Sequence, residues 1–197
     1  MTRPNITIEY LANHSELADE LARLSWAEWQ SLYEQRGETF SDSLRKYRER
    51  INIDRLPLAL VALAGAELVG TVSLKHNDLD IRPEINPWLG GVFVIPEWRR
   101  RGVASLLMRR AVEEARRLNL GRLFLWTASA ESLYLKLGWQ PVERTEYCGM
   151  SIVIMQLDVG RLSGPNVAAS PATPGHGPTS KFRKQPVNST GLTSQDF

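Results

Sequence analysis

A chain of 197 residues, 43% of them hydrophobic, is long enough for one domain with a proper core. The formal net charge is +2, but residues 160–197 carry +3 and residues 1–159 carry −1, which argues against a nucleic-acid-binding domain. A single cysteine, Cys148, excludes an internal disulfide or a cysteine-based zinc site, and no apolar run is long enough to span a bilayer.

Residues 6–11 alternate well enough for a first strand. The start of the chain lacks the charged-then-apolar pattern of a secretory leader, so a cytoplasmic protein is expected. Ser15 suits an N-cap, and Leu17, Leu21, Leu24, Trp26, Trp29 and Tyr33 follow as one helix or a broken one, ended by Gly37. Ser41 is expected to cap a second helix reaching Asn52, with Leu44, Tyr47 and Ile51 on its inner face. Residues 57–63 read as a strand, 64–66 as a hairpin turn and 67–74 as the antiparallel return. Residues 75–88, with His76, Asp78, Asp80, Arg82 and Glu84, read as a polar loop closed by Trp88.

The next stretch is the most informative. Val92, Phe93, Val94 and Ile95 form an apolar run suited to a strand covered on both faces, and Pro96 stops it. Gly102 supplies backbone freedom in an arginine-bearing turn. Val103, Leu106, Leu107, Ala111, Ala115 and Leu118 then mark one face of a helix, with Asn119 as its left-handed end. Such a turn is an anion site. The first helical N–H groups lack partners, the helix dipole is positive there, and small residues let a ligand approach. Three arginines, Arg99, Arg100 and Arg101, add donors suited to a pyrophosphate. Residues 123–127 read as a second buried strand, parallel to the first, followed by a short helix over 130–137 and a closing hairpin of 143–147 with 151–157. From Gly160 onward periodicity is lost among Pro, Gly, Ser and Thr, so 1–159 is expected to be the domain and 160–197 a disordered tail.

Arg99-x-x-Gly102-x-Ala104 resembles the Gln/Arg-x-x-Gly-x-Gly/Ala acyl-CoA pyrophosphate loop of the GNAT superfamily of N-acetyltransferases. Leu133-Tyr134-Leu135-Lys136-Leu137-Gly138-Trp139 is similar to the Leu-Tyr-x-x-Leu-Gly-Phe signature that ends the cofactor site in the same superfamily. The resemblance covers residues 58–157. It implies an α/β (α+β) fold: a mixed, mostly antiparallel sheet with a central parallel strand–helix–strand unit and helices on both faces. It also implies acetyl-CoA as co-substrate, no metal, and a small-molecule or peptide amine as acceptor, and it allows a homodimer. The implied cofactor-binding residues are Val92, Phe93 and Val94 on the strand, then Arg99, Arg100, Arg101, Gly102, Val103, Ala104 and Ser105. The strand would offer an N–H to the thioester carbonyl and pair with the pantetheine arm. A bulge at Gly90-Gly91 would open it from its neighbour.

By the same resemblance Tyr134 is the catalytic residue that protonates the leaving thiolate. Positioned proton transfer of this kind is worth about 10²–10⁴-fold. The nucleophile makes the larger demand: neutralising an alkylamine of pKa about 10.4 at pH 7 costs roughly 4–5 kcal/mol. Relatives place a glutamate on the central strand, where this chain reads Trp88-Leu89-Gly90-Gly91, so that assignment does not carry over. Asp78, Asp80, Glu84 and His76 remain the alternatives. Thr127 stands where relatives often carry a cofactor-contacting asparagine, and these departures leave open a non-catalytic acyl-CoA-binding module. The acidic loop with Trp88 hints at a cationic acceptor. Glu113 is placed to pair with Arg117, Cys148 reads as a small apolar residue, and the three histidines have no ligand-like spacing.

Overall fold

The computed structural model describes residues 5–160, so the tail expected to be disordered lies, after Gly160, outside the described residues. Seven strands, β1 (Ile6–Tyr10), β2 (Leu58–Ala64), β3 (Glu67–Lys75), β4 (Trp88–Val94), β5 (Arg122–Thr127), β6 (Gln140–Tyr147) and β7 (Met150–Asp158), form one sheet in the order β1-β2-β3-β4-β5-β7-β6. Every pairing is antiparallel except that of β4 with β5. The helices are α1 (Ala18–Gln35), α2 (Phe40–Glu49), α3 (Val103–Arg117) and α4 (Glu131–Lys136).

The mixed sheet and its covered faces agree with the expected fold. β2 shows why its sequence is apolar throughout. Leu58, Leu60 and Ala62 join the cluster beneath Leu107, Ala111 and Ala115 of α3. Ala59, Val61 and Leu63 join the one beneath Leu21, Ala22 and Tyr47 of α1 and α2. With period-2 alternation and helices on both faces, every residue from Leu58 to Leu63 is buried. β5 alternates in the same way: Leu123 and Leu125 join the α3 cluster, while Phe124 packs with Trp88 and Ile154. No helix among the described residues is long and apolar enough to cross a membrane.

Several local expectations are corrected. α2 is capped by Thr39 and not Ser41: Asp42 N–H donates to Thr39 Oγ1 at 3.3 Å, and Thr39 N–H donates to Asp42 Oδ2 at 2.9 Å. That reciprocal box needs an acidic side chain three residues on, which Thr39 has and Ser41 lacks. α2 ends at Glu49, where Asn52 Nδ2 donates to the Glu49 carbonyl at 2.7 Å and to that of Pro57 at 2.8 Å. α1 runs through a kink at Trp29 (φ −122°, ψ 23°), where the indole meets Phe93 edge-on at 6.1 Å. On α3 the partner of Arg117 is Glu114, only 1% exposed and ion-paired with Arg110 as well, whereas Glu113 points to solvent. Strands β3 and β4 reach Lys75 and Trp88, the ends of the stretch read as loop from sequence, and β6 begins at Gln140, before the strand expected from 143.

Candidate active site

Two irregularities in the sheet make the site. Thr71 pairs with Phe93 but Ser73 with Gly90, so β4 carries one residue more than β3 between those rungs. Gly91 takes up the bulge with φ +61°, a conformation that favours glycine. On its other side β4 shares a single rung with β5, Trp88 with Phe124, supplemented by Phe124 N–H donating to the Pro87 carbonyl at 3.0 Å. Beyond that rung the two strands do not pair among the described residues. A cavity of about 500 Å³ enters this cleft, lined by Val92 of β4, Thr127 of β5, Tyr33 of α1, Arg50 after α2 and Tyr134 of α4.

At the far end of β4 a 3-10 turn over Pro96–Trp98 leads to an extended Arg99, a left-handed Arg100 (φ +63°) and a left-handed Gly102 (φ +84°). α3 then begins at Val103 with no side-chain cap, leaving its first N–H groups without intrahelical partners. A Cβ on Gly102 would meet nothing within 4 Å. This is the local chemistry of an anion site. Arg100 and Arg101 are exposed, with Arg101 lying 5.1 Å over the Trp98 ring; Val103 and Ala104 are buried and Ser105 is half-buried. Arg99 behaves otherwise. Its Nε donates to the Val94 carbonyl at 3.0 Å, and one terminal nitrogen donates to both Glu28 oxygens at 2.9 and 3.0 Å. Its fork ties the end of β4 to α1.

Tyr134 is 5% exposed, stands edge-on to Trp139 at 6.2 Å, and is pushed up to about 12 by burial. It therefore stays protonated at neutral pH. Thr127 Oγ1 accepts from Ala130 N–H at 2.9 Å, so this residue builds the turn that starts α4 and orients Tyr134.

Of the four base candidates, Asp78 and His76 line the cavity, while Asp80 and Glu84 are exposed and outside it. Trp88 is fully buried, donating from Nε1 to the Ile85 carbonyl at 2.6 Å, and does not line the cavity either. His76 Nε2 lies 3.3 Å from the Leu56 carbonyl. The Asp78 carboxylate is ion-paired with Lys75 and occupies the space beside Gly90. Burial lowers Lys75 to about 8, against the opposing pull of Asp78.

Sequence reasoning missed the positive charges of the lining and the carboxylate they share. Arg36 Nε and Lys46 Nζ lie 3.0 and 2.6 Å from Glu38, and Arg50 is buried among them. These residues follow no apolar period, so no local pattern marks them.

The model of the acetyltransferase (GNAT) family matches residues 19–139. No curated protein matches the sequence. Among solved structures the chain is similar to yncA from Salmonella typhimurium with its cofactor acetyl-CoA: TM-score 0.59, 18% identity, covering 83% of this chain and 99% of that one. It is similar to an aminoglycoside 6'-N-acetyltransferase complexed with coenzyme A, with TM-score 0.61 and 18% identity over 82% of this chain and 99% of that one. It is also similar to a spermidine N-acetyltransferase SpeG chimera from Vibrio cholerae and hSSAT, with TM-score 0.59 and 21% identity over 79% and 96% of the two chains. At these identities the likeness shows the fold.

Proposed function

Because the chain belongs to the acetyltransferase (GNAT) family, we propose that it transfers an acyl group, acetyl foremost, from acyl-CoA to a primary amine of a small molecule or peptide. The observation that carries this reading is the cleft: a β4 edge unpaired by β5, with the uncapped mouth of α3 beyond one end and Tyr134 in its wall. Solved proteins of the same fold that hold acetyl-CoA or coenzyme A support the choice of co-substrate.

In this reading the α3 mouth, with Arg100 and Arg101, holds the diphosphate, and the β4 edge at Val92, Phe93 and Val94 pairs with the pantetheine arm. Arg99 contributes by fixing that edge, since its Nε and one terminal nitrogen are held by the Val94 carbonyl and Glu28. The neutral amine attacks the thioester carbonyl carbon, the C–N bond forms, and the C–S bond breaks. Asp78 takes the proton shed by the amine, directly or through water. Tyr134, at about 12, is a weaker acid than a thiol near 8.5. Its hydroxyl therefore donates a hydrogen bond to the charge growing on sulfur. A proton moves along that bond to sulfur only as Tyr134 is reprotonated through water by the proton Asp78 has taken, so that thiol and amide leave with both residues restored.

Incubation with acetyl-CoA and a panel of primary amines, read as free thiol, tests the reading. Release is expected with at least one amine, and Tyr134→Phe should lower it about 10²-fold or more while coenzyme A affinity is unchanged. Coenzyme binding without release for any amine would contradict it and favour a non-catalytic acyl-CoA-binding module.

A further inference from the structure

The cavity wall carries more positive charge than its carboxylates balance. Arg36 and Lys46 share one carboxylate, Glu38. Lys75 has Asp78, Arg45 has Glu49, and Glu28 is turned onto Arg99. Arg50 has no ion pair among the described residues, although it is only 8% exposed. Its guanidinium has Ser73 Oγ at 3.4 Å as a hydrogen-bond acceptor and lies 4.6 Å over the Tyr47 ring. A second buried donor in the same wall, Trp126 Nε1, has no hydrogen-bond partner among the described residues.

A buried guanidinium without a carboxylate is strongly disfavoured unless something else supplies the negative charge. Its planar fork matches a carboxylate in particular, and Arg is well suited to that role inside a partly apolar cavity. The volume, about 500 Å³, falls in the range of small-molecule sites, roughly 300–1,000 Å³. We infer that Arg50 is a specificity-determining residue that receives a carboxylate of the acceptor, so that the preferred amine is one that also bears a carboxylate, such as a free amino acid. The inference rests on the acyltransferase reading above and names the substrate class of that same site. Its chemistry runs against a polycationic acceptor, which would meet Arg36, Lys46, Arg50 and Lys75 at close range.

Matched acceptors test it: an amino acid, its amide, its decarboxylated amine and the corresponding aminophosphonate, each with acetyl-CoA and read as free thiol. The wild type is expected to favour the amino acid at least tenfold in kcat/KM over the amide and the amine. Arg50→Gln should erase that preference while still binding coenzyme A, and Arg50→Lys should recover part of it. Should Arg50→Gln fail to fold, inhibition of the wild type by the same acid lacking its amine gives an independent reading, with competition against the acceptor expected. Equal or faster turnover of the amide or decarboxylated amine would overturn the inference and leave the acyltransferase reading standing. Preference for the aminophosphonate would overturn the choice of a carboxylate. No thiol from any acceptor would overturn both.

Discussion

The carboxylate of Asp78 fills the space into which a side chain on Gly90 would grow. A loop residue thereby brings an acid to the central strand at a position where the strand itself has none. Lys75, at the end of β3, holds that acid in place.

Gly90→Ala should therefore disturb Asp78 before anything else. Overpacking a well-filled site costs about 1–3 kcal/mol, so the melting temperature should fall, and turnover should fall with it while coenzyme A affinity holds. Moving the acid onto the strand, Asp78→Ala with Gly90→Asp, should keep more turnover than Asp78→Ala alone. Thermal denaturation and thiol release measure both.

Arg99 and Glu28, both about three-quarters buried, link α1 to the end of β4. Arg99→Met and Glu28→Gln should each destabilise the fold, and the double variant should be little worse than either. A coupling of about 1–2 kcal/mol is expected from urea midpoints for hydrogen bonds to charged groups. Were Arg99 instead a free phosphate donor restrained by Glu28, Glu28→Gln would tighten coenzyme A binding; no such gain is expected.

Lys75 gives a pH signature. Its folded value, about 8, lies below its ordinary 10.5 because burial disfavours the charge. Between those values the unfolded chain holds a proton that the folded chain has shed, so stability rises with pH through that window. Burial shifts Tyr33, Tyr134 and Tyr147 upward, and they oppose this rise only above pH 10, where the unfolded chain ionises first. The urea midpoint of the wild type should thus climb from pH 8 to 10, by about 2 kcal/mol in stability. A Lys75→Met, Asp78→Leu double variant should lose the climb.

Much of this architecture is legible in the sequence because it follows from local rules. The two-sided apolar run of β2, the strand–turn–helix unit around Gly102 and the left-handed Asn119 each have a nearby cause, and the bulge at Gly90-Gly91 is marked by its glycines. What stays hidden depends on partners far away in the chain. Arg99 meets Glu28 across 71 residues, and Arg50 reaches Ser73 across 23. No spacing rule tells an arginine that will face phosphate from one that will tie down a strand. Nor could composition reveal that Asp80, Glu84 and Trp88 are kept out of the cavity while Asp78 enters it. Burial is decided by the fold of the whole loop.

Titration calorimetry of coenzyme A against the wild type and Gly102→Val is the most direct test of the central claim. A Cβ at Gly102 meets no protein atom within 4 Å; the backbone cost of φ +84° is at least about 1–2 kcal/mol for a β-branched side chain, and thermal denaturation checks that the variant is folded. Its side chain would nevertheless stand in the open space over the mouth of α3. The account predicts one coenzyme A bound per wild-type chain and a loss of affinity of at least tenfold in the variant. Absence of binding to the wild type, or equal affinity in the folded variant, would contradict it.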